Sequence, residues 1–237
     1  MRSLVPIFML ILPACLTLSP YTRDPETDTA GTDSDQGDVP DDAIDTDDTV
    51  DTDTVEDSDT DLDTDDDAPP IPSIPMLTEI MDASDDGSMK WVEVHNPGAK
   101  DVDLGGWSLE LYSNGSPTAS NTVVFDGGTL LLANNFFVVA NPGAEDDFPV
   151  VYGRDASLYD ATANGNGDDV YVLRSPGGTV VDIYGAIGTD GTDSAWDYEN
   201  SVVTRALSVT GPTPTWTAIE WSRVKKVSAS LGQPFLR

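Results

Sequence analysis

Residues 91–111, WVEVHNPGAKDVDLGGWSLEL, constrain the fold of this chain more tightly than any other stretch. Apolar side chains alternate from Trp91 to His95, and a Pro-Gly pair follows at Pro97 and Gly98. Short strand patterns then recur at 102–104 and 107–112 on either side of Gly105 and Gly106. Successive side chains of a strand face opposite ways, so a period of two marks strands. Pro pre-sets one backbone angle of a turn and Gly supplies positive φ. So many strands and turns in so short a stretch mean a compact all-β domain.

The pattern continues through the C-terminal two thirds of the chain. Strands are expected at 76–81, 90–95, 102–104, 107–112, 121–125, 129–133, 136–140, 169–174, 179–184 and 202–207. Turn chemistry lies between them: Asp-Gly-Gly at 126–128, Asn-Asn at 134–135 and Ser-Pro-Gly-Gly at 175–178. No segment holds a sustained helical period. Short strands joined by tight turns indicate a sandwich or barrel.

The net charge of −32 is concentrated rather than spread. Residues 24–67 hold 21 of the 43 acidic side chains and no base, whereas 68–237 carry 22 acids against nine bases. Both parts repel a phosphate backbone, whose protein partners bind mainly through cations, so nucleic acid is not an expected partner. The acidic tract is built of Asp-Thr dipeptides with few aliphatics and no aromatic residue. It cannot bury enough apolar surface to offset the entropy of ordering, and reads as a long disordered linker extended by like charges. The Pro-rich run at 68–75 is a semi-rigid spacer where that linker meets the domain. The single cysteine, Cys15, excludes an intrachain disulfide and a thiolate zinc cluster.

At the N-terminus, residues 4–13 form an apolar run too short to span a bilayer, which reads as a signal peptide over 1–14. Its end, Leu12-Pro13-Ala14-Cys15, resembles the bacterial lipobox. The resemblance implies cleavage before Cys15 and lipid attachment to its sulfur, with the tether over 15–75 and the folded domain over 76–237. Leu16 follows the cysteine and no Asp retention signal stands there, so the resemblance favours the outer membrane; without lipidation the chain would be secreted. The Trp91 stretch is itself similar to the opening strands of bacterial lamin-tail domains. LTEIMDASDDG (77–87), GNGDDVYVLRSPGGTVVDIYG (165–185), GTDSAW (191–196) and SLGQP (230–234) match further phrases of that family in order. The resemblance implies an immunoglobulin-like β-sandwich. It breaks down at 142–164 and 187–214, which read as long surface loops.

Candidate chemistry is sparse. His95 is the only histidine, with no nucleophile motif near it, and reads as a strand-end residue. Glu79 and Glu93 invite comparison with a two-carboxylate hydrolase. Glu93, however, shares a strand face with Trp91 and His95 while Val92 and Val94 face away, and is expected to be a structural hydrogen-bond acceptor. Asp82, Asp85 and Asp86 crowd one loop and Asp190, Asp193 and Asp197 another, so structural calcium, which takes six to eight oxygens, is a possible ligand. Neither loop follows a calcium-loop formula, and Asp-rich turns are commonly just solvated Asx turns. No other cofactor is implied. Arg223, Lys225 and Lys226 beside Trp216 and Trp221 could grip an anionic glycan or a partner's acidic face, or simply guard a sheet edge. The expected function is a non-enzymatic surface lipoprotein presenting a sandwich for an envelope or extracellular protein or glycan. A metal-dependent extracellular hydrolase using loop carboxylates and a purely structural envelope spacer are the alternatives.

Overall fold

The computed structural model describes residues 69–236. The signal-type segment, Cys15 and the acidic tract lie outside the described residues. In chain order the elements are β1 (Met76–Asp82), β2 (Lys90–His95), β3 (Val102–Asp103), β4 (Ser108–Tyr112), β5 (Asn121–Val124), β6 (Leu130–Leu131) and β7 (Phe136–Ala140). After them come the one-turn helix α1 (Phe148–Tyr152), β8 (Leu158–Tyr159), β9 (Val170–Arg174), β10 (Val180–Tyr184), β11 (Ser201–Arg205) and β12 (Trp221–Lys225). A six-stranded sheet runs β12-β11-β1-β2-β7-β8 and a four-stranded sheet β10-β9-β4-β5, with a small β3-β6 ladder beside them. Every pairing is antiparallel except β7–β8. The expected all-β sandwich is what forms.

The turns expected from the sequence do the work assigned to them. Asn134 adopts φ 51°, and Gly128 and Gly178 adopt φ 85° and 77°. The left-handed region is one that Gly enters freely and Asn tolerates.

Leu77, Ile80, Val92, Val94, Val139 and Val203 of the large sheet pack against Leu109, Leu111, Tyr171, Leu173 and Tyr184 of the small one. The outer face of the small sheet shows the alternation of a half-solvated strand, with Leu109 and Leu111 buried and Glu110 half-buried beside Arg174 at 2.8 Å. The large sheet differs. β1 and β2 are buried at every position, because a third layer covers their outer face. Trp91, Met81, Val138, Ala140 and Val202 lie there beneath Phe148 of α1 and Val227 and Ala229 of the C-terminal segment. Each large apolar side chain so buried contributes about 1.5–3 kcal/mol.

The loops at 142–164 and 187–214 are therefore more than surface connections. The first carries α1, whose five residues are too few to leave a helical period in the sequence. Pro stands in its first turn and Gly153 closes it at φ 72°. The second supplies Trp196 and Tyr198 to the main core and contains β11. At Gly167, φ 114°, any side chain would collide with the backbone of Glu199, so this glycine lets the second loop lie against β9.

One irregularity decides which side chains face which layer. The β1–β2 register slips between Leu77 and Glu79: Leu77 faces Val94 and Glu79 faces Glu93, leaving Thr78 as an extra residue. A β-bulge of this kind reverses the phase of a strand. Leu77 and Ile80 thus both reach the inner core, and Glu79 turns to the outer face.

Candidate functional site

The acidic loops are engaged by the scaffold. Asp82 ends β1, pairs with Lys90 at 2.9 Å and accepts the Asn200 N–H. Asp85 accepts the Ser228 hydroxyl at 2.6 Å and the Ala229 N–H at 2.8 Å, and these two bonds hold its carboxyl below the ordinary value. Asp86 accepts the hydroxyl and the N–H of Ser88. Asp190 makes the same Asx pattern with Thr192, which likewise lowers its carboxyl. Asp193 sits at φ 57°, and Asp197 accepts the Glu199 N–H while lying 3.7 Å from Arg223. Asp193 and Asp197 share a polar hollow with Asp168 and Glu199. Among the described residues no three His, Cys, Asp or Glu side chains converge in an arrangement able to hold a metal ion.

The aromatic and basic patch divides in two. β12 is the outermost strand of the large sheet. Trp221 packs edge-on to Tyr184 with ring centroids 4.8 Å apart, and Trp216 does so at 6.1 Å. The Trp pair closes the end of the core. Lys225 and Lys226 are exposed, as cations on an unpaired edge that discourage further pairing. His95 is buried at the end of β2 and stacks on Phe136 at 4.5 Å.

Sequence reasoning missed the charged cluster that ties the two sheets together. Arg205 of β11, fully buried, donates to Asp182 of β10 at 2.5 Å, to Glu220 at 2.6 Å and to the Leu77 carbonyl. Asp182 also accepts the N–H groups of Leu77 and Thr213. Burial pushes the Asp182 carboxyl above its ordinary value, and Arg205 pulls against that shift. No local signal marks these residues: each stands alone in an apolar run, VVTRAL or VVDIY, and only tertiary contact joins them.

The residues best placed for recognition lie in two cross-strand rows on the outer face of the large sheet. The register sets Glu93, Glu79, Thr204 and Ser222 side by side across β2, β1, β11 and β12. A parallel row contains Trp91, Met81, Val202 and Val224. The C-terminal segment lies over the β2–β1 end of both rows. The Phe235 N–H donates to Glu93 at 2.6 Å and the Gln233 N–H to Glu79 Oε1 at 3.1 Å, while the Thr78 hydroxyl donates to Glu93 at 2.6 Å. Glu93 is thus the structural acceptor expected from its place in the strand. The β11–β12 end stays uncovered as a groove of about 460 Å³, with Glu79 at its inner end. Desolvation pushes the Glu79 carboxyl up to about 7, against the pull of the Gln233 N–H.

The family model of the Lamin Tail Domain matches residues 73–188. The matched stretch covers β1 through β10 and stops short of β11, β12 and the C-terminal segment. No curated protein matches the chain. The match supports reading the sandwich as a structural or binding module.

Proposed function

We propose that this lamin-tail-type sandwich is the non-enzymatic binding module of a bacterial cell-envelope lipoprotein. Cys15 carries the lipid, outer membrane is the favoured address, and residues 15–75 hold the domain clear of the surface to meet a protein or glycan. The match of residues 73–188 to the lamin-tail model carries the binding-module part of the reading. Its non-enzymatic character is supported by how the acid–base candidates are used. Glu93, Asp82, Asp85 and Asp182 each accept hydrogen bonds that hold one part of the scaffold to another. A general acid or base must instead reach a substrate proton at hydrogen-bond distance. The envelope part rests on the Leu12–Cys15 pattern alone.

Two measurements test the reading. Cys15→Ala should move the protein from the membrane fraction to the soluble one, and unchanged partitioning would remove the lipid anchor. Purified protein should turn over no nuclease, phosphatase or glycosidase substrate. Metal-dependent turnover abolished by substituting Asp193 and Asp197 would replace the binding module with a hydrolase.

A further inference from the structure

We propose that the groove at the β11–β12 end of the outer face binds an apolar chain ending in a protonated primary amine, with Glu79 receiving the ammonium group. The proposal deepens the reading of the domain as a binding module and rests on it, by giving the chemistry of one ligand. The first support is the lining. Leu207, Val224, Leu231 and Leu236, from 56% to 72% exposed, all line this groove, over the buried Val202. Aliphatic side chains gathered at one concavity mark a ligand site, because water leaves such a surface at a gain in free energy.

The second support is the inner end. Glu79 is only 4% exposed. Its Oε1 is held by the Gln233 N–H, while its Oε2 accepts no hydrogen bond from the described residues. A nearly buried carboxyl with one free oxygen beside an apolar groove is an unfilled acceptor. The charged and titratable groups around it leave that acceptor to the ligand. Glu93, its neighbour on β2, is tied to Thr78 and Phe235. Arg205, next to its β11 partner Thr204, turns to the other face, where Asp182 and Glu220 hold it. Tyr152 of α1 keeps its proton, its phenol pushed up to about 12 by burial. Among the described residues no cation pairs with Glu79, and its cross-strand neighbour on β2 is the acidic Glu93.

The third support is length. Glu79 on β1 and Ser222 on β12 are two strand spacings apart, about 10 Å. A medium alkyl chain with its amine at Glu79 therefore crosses β11 and reaches Val224.

The test is calorimetric titration of the full chain with octylamine, octanol and octanoate at pH 8. Titrating at high salt damps the general attraction of a chain of net charge −32 for any cation more than it weakens a contact with a buried carboxylate. Octylamine should bind about tenfold or more tightly than octanol, as a charge-assisted hydrogen bond requires, and octanoate most weakly. Glu79→Gln should reduce octylamine to the level of octanol. Val224→Ala with Leu231→Ala should weaken amine and alcohol by equal factors. Octylamine affinity should rise between pH 6 and pH 8 as Glu79 ionises. An amine preference that survives Glu79→Gln, equal affinity for octanoate, or no saturable octylamine binding would each overturn the proposal. If octylamine fails to bind while Cys15→Ala still releases the protein and hydrolase substrates stay intact, only the ligand assignment falls.

Discussion

Replacing Glu79 with Gln isolates the energetic consequence of the bulge in β1. In the folded chain the Glu79 carboxyl titrates at about 7, raised from an ordinary 4.5 by desolvation. The folded state therefore holds this proton over a range in which the unfolded chain has lost it. Stability falls with pH wherever the folded state binds more protons. The Glu79 contribution is fully present below pH 4.5 and is lost as pH climbs to about 7. Two and a half pKa units at 1.36 kcal/mol each correspond to about 3 kcal/mol. Gln keeps the carbonyl that accepts the Gln233 N–H and has no proton to lose. Urea denaturation of both proteins at pH 4 and pH 8 separates this effect from every other titrating group, which the two chains share. The variant should gain about 3 kcal/mol on the wild type between the two pH values, equivalent to roughly 6–12 °C in Tm for a domain of this size. Stability curves that stay parallel across that range would refute the reasoning, since they would place an ordinary, solvated carboxyl at Glu79.

Two other consequences are open to measurement. Arg205→Met should cost about 3–5 kcal/mol in urea midpoint stability, because it strands the Asp182 carboxylate in the core, and adding Asp182→Leu should recover part of the loss; a single variant as stable as wild type would show that the cluster does not tie the sheets together. Thermal unfolding should be unchanged by EDTA, since the loop aspartates are satisfied by Ser88, Thr192, Ser228 and backbone N–H groups, and a lowered Tm would establish structural calcium.

Strand positions were legible because they depend on local pattern. Lys90–His95 and Phe136–Ala140 have the bounds that alternation and turns assign them. β8 and α1 were not. A two-residue strand and a five-residue helix are shorter than the period that would reveal them, whereas Arg223, Lys225 and Lys226 marked β12 as a guarded sheet edge without giving its bounds. The third layer was illegible for a related reason. In the sequence, WVEVH is a strand with one apolar and one mixed face, and nothing local says whether the mixed face meets water. The answer lies with Phe148, Val227 and Ala229, more than fifty residues away along the chain, which cover Trp91.

The same distinction governs the candidate site. Strict alternation along MLTEIMD would set Glu79 on the face of Leu77, inside the core, where an unpaired carboxyl would be costly. The extra residue Thr78 removes that cost. It carries Glu79 to the outer face and spends its own hydroxyl on Glu93, so one bulge both protects the core and assembles the row of polar side chains. The lamin-tail match ends at residue 188, whereas the surface that makes Glu79 chemically unusual comes from β11, β12 and residues 227–236. The matched segment accounts for the scaffold. The strands after it build the groove, and they are where this chain's binding specificity is to be sought.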